Sequence, residues 1–387
     1  MIKRCVELIV KAKRPVLILG NGARGANVRK LITYLQMPVV TSWNGSDLLD
    51  SYHPLYIGRM GIFGDYASNY AVQHADLLLA IGTRLSIAQI GHHAALFAPN
   101  AKKIIVDIDP DELRKPTVKP DLSICMDAKA FCETLIAEMT GKPMPFPGWN
   151  IFLHRVKASN PTMLQKYRED KQGVNAYFFV EQLGKHLADD AIVVTDVGAA
   201  FIATMQTLQL NGRQRLFHSG GVSAMGYGFP ASIGACRAGG GRQTVCLTGD
   251  GGMMLNLQEL QTVVHHNLPI KIFVFANNGY MTIRNMQETH FKRQAMSTPD
   301  TGLSCPDFAE VGKAFGVPVF SLFTNDEAEK WVEYVLTRKH PMLCVVHLPQ
   351  DQVLLPRVQS KIQDGKFVPV PLDEMYPPMK IVQVETV

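Results

Sequence analysis

The chain has 387 residues, 47% of them hydrophobic and 19% charged, with a formal net charge of +5, which describes a globular protein with room for two or three domains. No Lys/Arg cluster alternates with aromatic residues and no apolar run approaches membrane-spanning length, so neither nucleic-acid binding nor membrane insertion gains support. Seven cysteines without C-x-x-C spacing argue against a disulfide framework and structural zinc, and Glu7 interrupts the apolar segment after Lys3 and Arg4, so the expected setting is reducing and cytoplasmic.

In chain order, an amphipathic helix is predicted over 5–12 and a strand over 15–19, followed at 20–25 by G-N-G-A-R-G. That turn is a literal G-x-G-x-x-G between strand and helix, the pattern of a dinucleotide site. The next strand, 38–40, runs into Thr41-Ser42-Trp43 and lacks the acidic residue that would bind a ribose, which argues against a nicotinamide enzyme. Two further strands lie within 76–85 and 103–112, both ending in polar turns. The proline-rich run G-K-P-M-P-F-P-G at 141–148 reads as a linker, and divides the chain into domains 1–147 and 148–387. A helical bridge over 149–167 leads to a helix at 176–187 and a strand at 191–195, which ends in Asp196-Val197-Gly198-Ala199-Ala200.

The most informative stretch is 243–279. A strand is predicted at 243–247, then G-D-G-G at 249–252, then a helix capped by Asn256 with Glu259 at its third position, then a strand at 270–275 and Asn277-Asn278-Gly279. A right-handed crossover makes the two strands parallel and puts both turns at their carboxyl ends, where open α/β sheets bind ligands. Asp250, Asn277 and the Gly279 carbonyl are then hard oxygen donors suited to Mg2+, which leaves its other positions to water and phosphate. Gly251 and Gly252 let backbone N–H groups approach that phosphate. A G-D-G triplet alone is an ordinary turn; the spacing of twenty-seven residues from Asp250 to Asn277 is far more restrictive.

This pattern resembles the diphosphate and magnesium signature of thiamine diphosphate enzymes, and is most similar to the catalytic subunit of acetolactate synthase. The resemblance implies an α/β fold of two Rossmann-like, doubly wound parallel-sheet domains: a central domain at 1–147, and a thiamine diphosphate and Mg2+ domain with a C-terminal tail at 148–387. It makes Asp250, Asn277 and Gly279 the metal ligands, and Gly198, Ala199, Ala200, Ser223, Met225, Gly249, Gly251, Gly252, Tyr280, Met281, Thr282 and Ile283 the cofactor contacts. The segment 220–235, G-G-V-S-A-M-G-Y-G-F-P-A-S-I-G-A, resembles the family's glycine-rich element. There Met225 is the catalytic wedge that holds the cofactor bent, so that its aminopyrimidine nitrogen reaches the thiazolium carbon; core filling is the commoner role of methionine.

In acetolactate synthases the central domain holds FAD through segments matching Gly20, Gly22, Gly82, Thr83, Arg84, Asp107 and Asp109. Many relatives share the domain without flavin, so an FAD or nucleotide site and a spacer with empty turns both stay open. The chain departs from the family in having Ala199 and Ala200 where a Gln and a His assist the diphosphate end. It also begins where the family's central domain starts. The resemblance therefore implies that the pyrimidine-binding domain, with the catalytic glutamate, comes from a separate chain or a longer product.

The function implied is a carboligase or decarboxylase acting on 2-oxo acids such as pyruvate, in a homo-oligomer (dimer or tetramer), with or without a chain supplying the pyrimidine-binding domain. Two alternatives remain: a catalytically inactive binding or regulatory module, and another thiamine diphosphate lyase. The second draws on G-Y-x-[ST]-I-R at 279–284 and on the segment 356–377, which resemble enzymes of sugar and polysaccharide metabolism. Arg284 is a candidate bidentate partner for an anionic substrate, against the plainer reading of a solvated arginine. His218, His265, His266 and His290 are candidate proton carriers, the middle two also explicable as cations at a helix C-terminus.

Overall fold

A computed structural model describes residues 1–139 and 145–380, so much of the expected linker at 141–148 lies outside the described residues. The chain forms two compact units: Met1–Thr162 together with Leu355–Val387, and Met163–Leu354.

The first unit is built on six strands: β1 Pro15–Leu19, β2 Val39–Thr41, β3 Tyr56–Arg59, β4 Leu77–Ile81, β5 Lys102–Asp107 and β6 Leu122–Cys125. They run parallel in the order β3-β2-β1-β4-β5-β6, a doubly wound sheet whose order reverses between β1 and β4. Helices cover both faces, which is why β1 and β4 are buried along their whole length and read as unbroken apolar runs. The glycine turn after β1 forms a short 3-10 turn at Asn21–Ala23, and the helix starts only at Val28, capped by the Asn27 side chain.

The division differs from the sequence expectation at both ends of the second domain. Trp149, Leu153 and Val156 of the helix Pro147–Ser159 are buried in the first unit's core, together with Val358, Val370, Leu372 and Met375 of the C-terminal segment. Polar contacts hold that segment in place. The Asn69 carboxamide donates to the Leu372 carbonyl at 3.0 Å, the Tyr66 hydroxyl donates to the Pro377 carbonyl at 2.8 Å, and His74 Nε2 lies 2.8 Å from Asp373 Oδ2.

The second unit contains β7 Ile192–Thr195, β8 Arg215–Phe217, β9 Thr244–Gly249, β10 Lys271–Ala276, β11 Val319–Leu322 and β12 Met342–His347. This sheet is also parallel, in the order β11-β12-β10-β9-β7-β8. From β7 the chain goes out to β8 at the edge and returns through the helix Gly228–Ala238 to β9, on the other side of β7. The order therefore reverses between β7 and β9, the position where such sheets open a crevice at their carboxyl ends.

Cys246, Ile272, Val274, Leu343 and Val345 pack with Phe229, Met253 and Leu260 in one apolar cluster. Phe179 meets the edges of Phe273 and Phe275 at 5.1 and 5.4 Å between centroids, contacts worth about 1 kcal/mol each beyond area burial.

The crossover from β9 to β10 differs from expectation in one respect. Its helix begins at Asp250 and runs to Asn256, continuing through Leu257–Glu259 into Leu260–His265. Gly249, fully extended at φ −106 and ψ 179, takes the N-cap position, and a carboxylate in the first turn suits the positive end of the helix dipole. Asn256 thus closes the first helical segment and is also the N-cap of Leu257–Glu259, as expected, but its side chain makes no capping bond and donates instead to the Gly226 carbonyl at 2.8 Å. Among the described residues no helix is long and apolar enough to cross a membrane.

Candidate functional site

The carboxyl ends of β7, β9 and β10 lie side by side and present Asp196, Asp250 and Asn277 in turn. Asp250 is only 2% exposed. Its Oδ2 accepts N–H bonds from Asn277 at 2.8 Å and Gly279 at 3.1 Å, which ties the first helical turn after β9 to the loop after β10. Burial pushes the Asp250 carboxyl up to about 6, against the lowering effect of those N–H donors and of Arg284. A nearby cation is the standard way to hold such a group ionised.

The side-chain oxygen of Asn277 is buried and has no hydrogen-bond partner. A buried amide oxygen left unpaired costs about 1–3 kcal/mol, and this one faces the same turn as the buried carboxylate. Among the described residues no group of three or more His, Cys, Asp or Glu could hold a metal. The donor set here is one carboxylate and one amide oxygen, with a backbone carbonyl available at Gly279. That set fits Mg2+ completed by ligand phosphate, and fits poorly a cation that needs an all-protein cage.

Glycine is required around this turn because other groups fill the space. Gly279 has φ +137, and a Cβ there would overlap the Ser297 carbonyl oxygen. A Cβ on Gly251 would overlap the Tyr280 ring and lie 3.0 Å from Met225 Sδ. A Cβ on Gly252 would lie 2.5 Å from Thr248 Oγ1 and 2.7 Å from Asp196 Oδ2. Met225 thus lies against Gly251, partly exposed, in the glycine-rich segment whose residues 221–225 are all exposed, Ser223 at φ +54 among them. Gly198, at φ +73, caps the helix Ala199–Thr207, so the buried Ala199 and Ala200 contribute backbone rather than side-chain chemistry at its first turn. Met281 is buried, Tyr280 and Thr282 are half-buried, and Ile283 is exposed on the helix Met281–Phe291 that follows the Asn277–Gly279 turn.

One residue gains importance that the sequence did not reveal, and one sequence candidate proves to be buried. Asp196 is fully buried and acts as a hub. Its Oδ1 accepts from the amides of Val197 (2.8 Å) and Gly226 (3.0 Å), and its Oδ2 from the Gly228 amide (3.1 Å) and the Thr248 hydroxyl (3.3 Å). One carboxylate thereby fixes the end of β7, the glycine-rich segment and β9 together. Arg284, for which solvation was the plainer reading, is 6% exposed, and its guanidinium donates to the Gln350 carbonyl. Of the histidines, His218 is buried against Phe201 at 4.4 Å between centroids, and burial lowers it to about 4. His265 and His266 are exposed at a helix end.

In the first unit Gly20, Gly22, Gly82 and Thr83 come together at the β1/β4 reversal. Their glycine amides are engaged within the protein: Gly20 to the Ile81 carbonyl, Gly22 to Gly82 and Gly82 to Val106, each at 2.9 Å. Asp107 and Asp109 each accept from a local amide, at 3.0 and 2.9 Å. Arg84 pairs with Glu112 at 3.3 Å on the surface.

Comparison with known proteins matches residues 2–135 to the family "Thiamine pyrophosphate enzyme, central domain" and residues 196–346 to "Thiamine pyrophosphate enzyme, C-terminal TPP binding domain". The chain belongs to the thiamine pyrophosphate enzyme family. The second match begins at Asp196 and spans the Gly249–Gly252 and Asn277–Gly279 turns, so the family's cofactor-binding domain and the crevice of the second sheet coincide.

Among curated relatives, this thiamine pyrophosphate enzyme is 30% identical over 369 residues to acetolactate synthase isozyme 1 large subunit of Escherichia coli, covering 95% of this chain and 64% of the relative. It is 31% identical over 390 residues to a probable acetolactate synthase large subunit of Methanocaldococcus jannaschii, covering 95% and 65%. It is 30% identical over 384 residues to acetolactate synthase 1, chloroplastic, of Zea mays, covering 96% and 59%. The chain thus spans about six-tenths of the length of these relatives.

Proposed function

We propose that the second unit holds Mg2+ and thiamine diphosphate, and that the protein serves as an acetolactate synthase-like carboligase or decarboxylase of 2-oxo acids such as pyruvate. The observation that carries this reading is the unpartnered, buried Asn277 oxygen beside the buried Asp250 carboxylate. Asp250, Asn277 and the Gly279 carbonyl would hold the metal, with the diphosphate at the N-terminus of the helix that starts at Asp250, against the amides of Gly251 and Gly252. When bound, the cofactor supplies an electron sink for breaking the bond next to a 2-oxo acid's carbonyl. Met225, lying against Gly251, is suited to hold the cofactor bent and to exclude water beside it. Asp196 keeps the glycine-rich segment that carries Met225 in place.

The two helices that follow the site's turns carry exposed apolar side chains, Met254 and Leu255 on Asp250–Asn256 and Ile283, Met286 and Phe291 on Met281–Phe291. Such a collection supports a covering partner, either a second copy in a dimer or tetramer or a chain bearing the pyrimidine-binding domain. For the first unit, the engaged glycine amides favour a spacer over a flavin site. A second reading, an inactive binding or regulatory module, is favoured by Ala199 and Ala200, which leave the diphosphate end without polar side chains.

The test is calorimetric titration of thiamine diphosphate with and without Mg2+. Metal-dependent binding by the wild type and none by Asp250→Ala supports the site, and matching isotherms for the two proteins remove it. Release of CO2 from pyruvate, with a pyrimidine-binding domain added in trans, separates the active reading from the inactive one.

A further inference from the structure

A second concavity opens one helical turn beyond the metal turn. The helix Met281–Phe291 starts directly after it and contributes Arg284, Asn285 and Glu288, while the loop after β12 contributes Gln350 and Asp351. With Gln294 on its rim, they enclose a cleft of about 530 Å³, the size of a small-molecule site.

The chemistry of the walls selects a ligand class. Carboxamides both donate and accept, the two carboxylates accept, and the guanidinium only donates. Arg284 Nη2 is used on the Gln350 carbonyl, whereas its Nη1 is buried without a hydrogen-bond partner. Asp351 acts on that guanidinium and, with Glu288, lines the same cleft. A carboxylate or phosphate entering the cleft would meet two carboxylates for one guanidinium, and a cation would meet the guanidinium. A hydroxyl satisfies both kinds of wall, donating to Glu288 or Asp351 and accepting from Arg284 or an amide.

We infer that this cleft binds an uncharged, polyhydroxylated small molecule. This binding chemistry does not rest on the cofactor reading above.

The experiment is saturation-transfer NMR on the full chain with D-glucose, myo-inositol and erythritol as probes, and with pyruvate and inorganic phosphate as anionic controls. At least one polyol should receive saturation, and the double variant Glu288→Ala/Gln294→Ala, altered only at exposed positions, should reduce it about fivefold, the effect of losing one or two hydrogen bonds. Saturation of no polyol, an unchanged signal in the variant, or displacement of the polyol by phosphate each overturns the inference. Mg2+-dependent thiamine diphosphate titration of the same samples reports on the cofactor reading separately. The double variant should bind cofactor as the wild type does, and a wild type that binds polyol but no cofactor would sink that reading and leave the cleft.

Discussion

Gly279 and Ser297 are locked together: the glycine sits at φ +137 directly beneath the Ser297 carbonyl, which also accepts the Tyr280 amide at 3.0 Å. The loop after β10 and the segment near Ser297 thus hold each other, and the Gly279 carbonyl inherits its direction from that contact.

Gly279→Ala should therefore damage the Asn277–Gly279 turn first. Positive-φ strain adds about 1–3 kcal/mol, and the overlap forces the turn to shift. Far-ultraviolet circular dichroism should remain close to that of the wild type, while Mg2+-dependent cofactor affinity falls at least roughly tenfold. Wild-type affinity in the variant would show that the Gly279 carbonyl is not a ligand.

Asn277→Ala should separate binding from stability. The change removes an unpaired buried acceptor together with the side chain's 3.4 Å bond to the Phe275 carbonyl, opposing effects that should leave the stability of the metal-free protein in urea within about 1 kcal/mol. Cofactor affinity in the presence of Mg2+ should fall by roughly tenfold or more. A variant that unfolds readily yet binds normally would make this amide a structural group.

Asp196→Asn tests the hub. An amide at this position sets an NH2 group against donors that now point at a carboxylate oxygen, and leaving such groups unpaired costs about 2 kcal/mol. A drop of that size in urea denaturation is expected, together with faster proteolysis in the 220–228 segment. Unchanged stability would mean that the four bonds around Asp196 contribute little.

Acid should weaken the fold through His218. Burial holds the folded imidazole at about 4, below its ordinary 6.5, so the unfolded chain takes up the proton first as pH falls. The group is neutral in both states above about pH 7. Stability is lost between about 6.5 and 4, by about 3 kcal/mol in total, and this group removes no more below that. His218→Phe should flatten that part of the urea-midpoint curve against pH, and parallel curves for the two proteins would refute the assignment.

The sheets were legible because buried parallel strands are written as apolar runs; Pro15–Leu19 and Lys271–Ala276 coincide with, or shift by one residue from, their expected positions. The spacing of Asp250 and Asn277 was legible for the same reason, since each follows the end of such a run. The helix start was misread because Gly251 and Gly252 look like turn residues, yet here they occupy a first helical turn whose backbone needs the space. Asp196 carried no signal of its own, as a lone Asp after a strand is written like any turn residue. Arg284 was legible only as a choice between an anion partner and a solvated arginine, because a charged side chain is ordinarily exposed, yet here it is buried while Ile283 and Met286 beside it are exposed. The C-terminal segment has strands of only two or three residues, Arg357–Val358, Lys361–Gln363, Lys366–Val368 and Met375–Tyr376, too short for any period to reveal which core the segment joins.

The return of that segment to the first unit sets the timetable of biosynthesis. Asn69 leaves the ribosome early, but the Leu372 carbonyl that its carboxamide needs is made some three hundred residues later. The intervening second unit is fully synthesised before the first can close, so in the nascent chain the apolar seat of Leu372 and Met375 stays open longest and is where a chaperone has the most to shield.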